Sequence, residues 1–112
     1  MSPEQQRIVI AEACGYRNIV LREDPDEGFD PLLTGFKNDN HFDEQIPDYL
    51  NSLNAMHKVE KIIRSKPNKR NGQVYSYIYE SELSELTGGE PVYATAAQRG
   101  EAFLKTIGKW VY

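Results

Sequence analysis

The apolar and polar positions repeat most regularly between Ile46 and Ser65, where their spacing is helical. At about 100° per residue, apolar side chains gather on one face of this stretch and polar side chains on the opposite face. The apolar face comprises Tyr49, Leu53, Met56 and Ile63, and the polar face comprises Asn51, Asn54, Lys58, Lys61 and Ser65. The pattern predicts an amphipathic helix over Ile46–Ser65 with one buried side.

A carboxylate interrupts the apolar face of this predicted helix. The helical projection places Glu60 in the middle of that face, with His57 and Arg64 about one turn away on either side. An unpaired buried charge is costly, so Glu60 needs a partner. We expect a structural cluster in which Glu60 bonds Arg64, His57 or the backbone of a neighbouring loop, since Glu60 and Arg64 have a favourable i,i+4 orientation. The alternative is a small pocket in which Glu60 and His57 act as general acid and base.

Capping boxes predict two further helices, because in each a hydroxyl residue precedes a glutamine by three positions. The first box, Ser2–Gln5, opens a helix predicted to end near Cys14, and the second, Thr95–Gln98, opens one predicted to end near Ile107. Each helix is followed by a glycine, which can adopt the left-handed conformation that ends a helix. Gly100 lies within the apolar stripe of the last helix, where we expect the close approach of a second backbone.

The remaining stretches have weaker patterns. Tyr16–Arg22 is short, rich in β-branched residues and bounded by breakers, which predicts a strand. Glu23–Gln45 contains two prolines and two glycines without a sustained period, which predicts a long loop. Gln73–Leu86 begins with a strand-like composition, but its apolar residues have helical spacing, and we predict a helix there.

Length and composition are those of one small domain, and the predicted elements, mainly helices with a short strand, indicate the α+β class. The chain has 112 residues and a net charge of −4, which disfavours a dedicated DNA-binding domain. No run approaches the roughly 18 apolar residues of a membrane span, and the N-terminus lacks signal-peptide features. We therefore expect a cytoplasmic protein without a membrane partner. Cys14 is the single cysteine, and we interpret it as a small buried residue at a helix end; a catalytic thiol would require His41 or His57 beside it.

Three polar stretches permit ligand hypotheses, each weaker than its structural explanation. Asp24 and Asp26 stand where an EF-hand-like loop places calcium ligands, but no glutamate follows at the twelfth position. The stretch His41–Glu44 contains possible metal ligands in a polar loop. The basic residues of Arg64–Arg70 precede three tyrosines, a combination that can bind single-stranded nucleic acid. We expect solvated loops here, with no cofactor or metal, and nucleic-acid binding only as a minor hypothesis.

Three motifs resemble a known family. The stretches Ile46–Lys61, Ala94–Trp110 and Glu12–Tyr16 resemble those of small phage and prophage proteins known as the phage ABA sandwich domain. The resemblance spans most of the chain. It implies an α/β sandwich of helices against a small sheet and a phage origin, and it brings no established activity.

We therefore hypothesise a non-enzymatic phage or prophage accessory protein that acts in the cytoplasm of a bacterial host. It would bind a host or phage protein, and interference with bacterial defence is one possible role. The expected contact surface is the Glu23–Gln45 loop together with the apolar tail formed by Trp110, Val111 and Tyr112. The alternative is a small-molecule or nucleotide binder, or a minor enzyme, with a pocket near His57 and Glu60.

Overall fold

The computed structural model describes residues 1–22, 32–37, 43–65, 69–70 and 73–111. The elements in chain order are α1 (Pro3–Ala13), β1 (Tyr16–Arg22), β2 (Leu32–Lys37), β3 (Asp43–Gln45), a first 3₁₀ turn (Tyr49–Asn51), α2 (Leu53–Ser65), β4 (Lys69–Arg70), β5 (Gln73–Val74), α3 (Tyr75–Leu86), a second 3₁₀ turn (Pro91–Tyr93) and α4 (Ala96–Thr106). Strands β1, β2 and β3 form an antiparallel sheet in that order, and β4 pairs with β5 in a separate hairpin. The predicted α+β class is confirmed.

Helices α1 and α4 begin at the two predicted capping boxes. The Ser2 hydroxyl accepts the Gln5 N–H at 3.1 Å, and the Gln5 side chain accepts the Ser2 N–H at 3.0 Å. In the second box, the Thr95 hydroxyl accepts the Gln98 N–H at 3.1 Å, and the Gln98 side chain accepts the Thr95 N–H at 2.9 Å. Each box therefore satisfies a helix N–H that would otherwise lack an intrahelical partner.

The central helix is shorter than its apolar period indicates. Helix α2 begins at Leu53 rather than Ile46, so the prediction was wrong over its first seven residues. Pro47 disfavours a helical conformation in the residue before it. The Ser52 hydroxyl accepts the Ala55 N–H at 3.2 Å, which caps the helix at its actual start. Tyr49 is nevertheless buried, because the first 3₁₀ turn carries it into the core.

The predicted loop Glu23–Gln45 contains two strands, which is a second correction. Strand β2 pairs with β1 from Arg22↔Leu32 to Tyr16↔Lys37, and β3 pairs with the other edge of β2. Three consecutive residues of β2, namely Leu33, Thr34 and Gly35, are buried. Because both faces of this strand are covered, its sequence does not alternate between apolar and polar residues. The period-two signal of a half-exposed strand is therefore absent.

The ambiguous segment before the third helix divides at Tyr75. Residues Tyr75–Leu86 form α3, which confirms the predicted helix, whereas Gln73–Val74 forms β5. Glycines follow α3, and both Gly88 and Gly89 have positive φ angles, of 64° and 91°. Chain reversal at this point brings the second 3₁₀ turn and α4 back against α3.

A single hydrophobic cluster joins the helices to the sheet. Its largest fully buried side chains are Phe103, Ile10, Ile46, Met56, Leu104, Val59 and Thr106. Gly100 lies in this cluster, but the group that approaches it is a side chain and not the expected second backbone. A Cβ added there would lie 2.6 Å from Leu50 Cδ2. Among the described helices, none is long and apolar enough to cross a membrane.

Candidate functional site

The buried carboxylate of α2 is paired with an arginine of α4. Glu60 is 6% exposed. The Arg99 Nη1 group donates to its Oε1 at 3.1 Å and to its Oε2 at 3.3 Å. The Arg99 Nε–H also donates to the Ala94 carbonyl at 3.2 Å, which orients the guanidinium. Glu60 therefore has the partner that its position requires, and the pair joins α2 to α4.

The partner differs from those expected from the sequence, which were Arg64, His57 or a loop backbone. Arg64 and His57 are exposed one turn away from Glu60 on the same helix, whereas Arg99 approaches from the facing helix. Arg99 lies three residues after Ala96 and four before Phe103, both buried, so it shares their face of α4. Two opposite charges on the buried faces of two helices are a sequence signal for such a pair.

Tyr79 of α3 completes this buried polar group. Its side chain is 5% exposed, and its hydroxyl lies beside Glu60 and Arg99 but forms no hydrogen bond of regular geometry with a described residue. Burial and the nearby negative charge of Glu60 raise the pKa of Tyr79, and the positive charge of Arg99 only partly opposes this shift. The phenol therefore stays neutral at physiological pH.

These three side chains lie in a cleft between α2, α3 and α4, which we call the Arg99 cleft. Its volume is about 360 Å³, and Pro91 and Val92 of the second 3₁₀ turn form one edge. Its charged lining residues are Glu60, Glu80, Arg64 and Arg99. Because two carboxylates and two guanidinium groups balance, the described part of the lining has no net formal charge. A strongly charged ligand gains no net electrostatic attraction from such a lining.

Exposed apolar side chains stand beside the Arg99 cleft. Val92 is 76% exposed and Tyr93 is 79% exposed, the highest values among the large apolar residues that the structure describes. The backbone turns sharply here, since the N–H groups of Tyr93 and Ala94 donate to Glu90 and Pro91 carbonyls. Ala94, directly after the turn, is buried and anchors the turn in the fold. The side chains of Val92 and Tyr93, just before Ala94, face solvent.

The cleft brings together only part of the predicted pocket. Glu60 and Arg64 line it, whereas His57 is exposed and is not among its lining residues. In the described part of the chain, His57 also forms no hydrogen bond with Glu60. The carboxylate that would act as acid or base is instead bonded to Arg99 and almost fully buried. This geometry favours the structural interpretation of Glu60 over the catalytic one.

The C-terminal tail is partly attached to the fold. Trp110 packs against the core, and the Lys105 ammonium lies 5.8 Å from the centre of its ring. The N-terminal ammonium of Met1 donates to the Val111 carbonyl at 3.1 Å. The Val111 side chain is exposed, and Tyr112 lies outside the described residues. The tail therefore has an anchored ring at Trp110 and an exposed side chain after it.

The other predicted ligand sites fall mainly outside the described residues. These include the acidic loop at 23–30, His41, Lys66 and the side chains of Lys69 and Arg70. Within the described part, no group of three His, Cys, Asp or Glu residues is arranged to hold a metal ion. Cys14 is half-buried at the end of α1, and its thiol hydrogen-bonds with the Tyr49 side chain. The predicted position of Cys14 at a helix end is confirmed, although its burial is incomplete.

Comparison of the chain with family models, known proteins and solved structures finds no match. The resemblance to phage ABA sandwich proteins therefore stays a prediction from the three motifs.

Proposed function

We propose that this chain is a small non-enzymatic phage or prophage protein that binds a protein partner in the bacterial host cytoplasm. The proposed contact surface, here called the docking face, consists of the Arg99 cleft with Pro91, Val92 and Tyr93 at its edge. The observation that carries the proposal is the exposure of Val92 and Tyr93 beside an open cleft. The resemblance in three sequence motifs supports the phage origin.

Exposure on this scale favours a macromolecular partner over a small ligand. Small-molecule sites are concave and enclose most of the ligand, whereas Val92 and Tyr93 project outward from a turn. A flat or protruding apolar side chain is removed from water only by a large opposing surface. Complete burial of one such side chain is worth about 1.5–3 kcal/mol. Val92 and Tyr93 are therefore suitable anchors for an interface, with the cleft receiving a side chain of the partner.

A photo-crosslinking residue at position 93 tests this proposal. The variant is expressed in the source bacterium, irradiated, and its adducts are identified by mass spectrometry. The same crosslinker at Glu12, an exposed position of α1, is the matched control. We expect position 93 to yield a protein adduct that position 12 does not. Identical adducts at both positions, or none at position 93, would contradict the docking face.

The affinity of the purified adduct partner provides the second measurement. We expect Val92→Ser and Tyr93→Ala each to weaken binding by about tenfold or more, as is usual for exposed anchors that become buried. A crosslinker at Val111 tests the apolar tail, which we proposed from the sequence as a contact surface, in the same way. An adduct at position 111 alone would move the contact surface to the tail.

The alternative of a small-molecule or nucleotide binder, or a minor enzyme, at His57 and Glu60 has less support. His57 projects into solvent, and both Glu60 carboxylate oxygens accept bonds from Arg99. A thermal-shift screen against nucleotides tests it directly, because a ligand at 100 times its Kd adds about 2.7 kcal/mol of stability. A nucleotide-dependent shift that Glu60→Gln abolishes would favour this alternative.

A further inference from the structure

A second cleft lies between the sheet and the N-terminal part of α2, on a different surface from the docking face. Its volume is about 480 Å³, larger than that of the Arg99 cleft. Tyr16 of β1 and Tyr49 of the first 3₁₀ turn contribute aromatic rings, and we call it the tyrosine cleft. The half-buried Ala55 and Ile62 of α2 supply an aliphatic wall. The cleft therefore offers an apolar surface on which a flat organic group can lie.

Among the described residues, the charged side chains that line the tyrosine cleft are both cations. Lys37 of β2 and Lys58 of α2 are exposed at its edges, although the whole chain has a net charge of −4. The Lys37 ammonium lies 5.6 Å from the centre of the Tyr16 ring, which holds it above the aromatic wall. Burial raises the pKa of Tyr16, and the negative charge of Glu44 on β3 adds to this shift. Within the described part of the chain, two lysines line the cleft and Glu44 is the acid whose charge reaches it.

Polar groups inside the cleft can complete the binding of an anion. The Tyr49 hydroxyl is buried beside the Cys14 thiol, and this burial, followed by the Cys14 interaction, raises the pKa of Tyr49. The phenol therefore stays neutral, and its hydrogen bond with the Cys14 thiol is internal to the cleft wall, which leaves the side chains of Ser52 and Asn54 as polar groups for a ligand. Ser52 and Asn54 lie at the start of α2, where the positive end of the helix dipole adds to the lysine charges.

We infer that the tyrosine cleft binds a small organic anion whose phosphate or carboxylate group lies between Lys37 and Lys58 and whose planar apolar body packs against Tyr16 and Ile62. The inference is independent of the protein-binding proposal, since the two clefts share no lining residue. Phosphate and carboxylate ligands share the required chemistry, and the choice between them is made by the test.

The test is an NMR titration of the full chain labelled with ¹⁵N. Phenyl phosphate and benzoate are the two anionic probes, benzamide is the neutral probe of the same shape, and inorganic phosphate is the anion without an apolar body. We expect an anionic aromatic probe to shift the amide signals of Tyr16, Tyr49 and Lys58, with benzamide and inorganic phosphate binding more weakly. A response to only one of the anionic probes identifies the preferred charged group. No shift with either anionic probe, or equal shifts with benzamide, would overturn the inference.

Lysine variants locate the binding site. We expect Lys37→Gln and Lys58→Gln each to weaken probe binding about two- to fivefold, as is usual for exposed charges. Lys61→Gln is the matched control, because it removes the same charge from α2 at an exposed position outside the cleft. All three residues are exposed, so folding is expected to persist, and melting curves check this. Equal effects of the three substitutions, or no effect of the first two, would contradict the site.

Discussion

Removing Arg99 tests whether its pair with Glu60 is the buried link between α2 and α4. Arg99→Met retains an unbranched side chain but leaves a carboxylate that is 6% exposed without its cation. Loss of one partner of a buried pair costs about 3–5 kcal/mol, and the lower end applies here because the Arg99 side chain is 13% exposed. We expect the free energy of unfolding to fall by about 3 kcal/mol. For a chain of this length, that corresponds to a fall in Tm of about 12 °C.

A double substitution distinguishes the cost of an unpaired buried charge from the cost of the lost contact. In Arg99→Met with Glu60→Leu, neither charge remains in the interior, so most of the stability is expected to return. The double variant is therefore predicted to be more stable than Arg99→Met alone by about 2 kcal/mol. Urea denaturation followed by circular dichroism measures all the variants and the resulting coupling energy.

The chain supplies a matched control on the same helix. Glu101 and Lys105 of α4 form an i,i+4 pair at 3.2 Å, but both side chains are partly exposed to solvent. Glu101→Gln is expected to cost about 0.5 kcal/mol or less. If Arg99→Met costs no more than this control, or if the double variant is no more stable than Arg99→Met, the argument for a buried pair is refuted.

Three further predictions concern tight packing and buried phenols. Gly100→Ala is expected to change the stability by less than about 1 kcal/mol, because the gain in helix propensity offsets the displacement of the half-buried end of the Leu50 side chain; in the Leu50→Val background, where that side chain is shorter, the same substitution should raise the Tm, and equal effects in both backgrounds would contradict the contact. Tyr79→Phe removes a buried hydroxyl that lies beside Glu60 and Arg99 without a hydrogen bond of regular geometry, so it is expected to lower the stability by no more than about 0.5 kcal/mol; the exposed control Tyr77→Phe should change it little, and a loss of about 1 kcal/mol or more at Tyr79 would mean that its hydroxyl is well bonded in solution. The pKa values of Tyr49 and Tyr79 are raised in the folded state, so above a pH of about 10 these phenols lose their protons more readily in the unfolded chain. The free energy of unfolding should therefore fall as the pH rises above about 10. Urea melts at a series of pH values measure this, and a constant midpoint would contradict both pKa shifts.

Several local features were predictable because their causes lie within a few residues. The capping boxes at Ser2 and Thr95 need only a hydroxyl and a glutamine three positions apart, and both form as predicted. Strand β1 has the predicted bounds, Tyr16–Arg22, because breakers and β-branched residues define it locally. The burial of Glu60 also followed from the helical period alone.

The errors arose where burial and helical conformation are separate properties. Ile46 and Tyr49 continue the apolar period of α2, and both are buried, but a proline and the Ser52 cap delay the helix to Leu53. Strand β2 was missed because it is covered on both faces and so has no alternating pattern. The period of apolar residues indicates which side chains are buried. Turns and helix caps decide whether the backbone at those residues is helical.

The sequence by itself determined the α+β class, the helix starts at the capping boxes and the presence of a buried carboxylate in α2. Only the tertiary structure decided that its partner is Arg99, 39 residues away, and that the exposed Val92 lines a cleft with the exposed Tyr93 next to it in the chain. Capping and periodicity act over one or two helical turns, so they can be read along the chain. Pairing between helices and the formation of clefts depend on which faces meet, and that is set by the packing of the whole core.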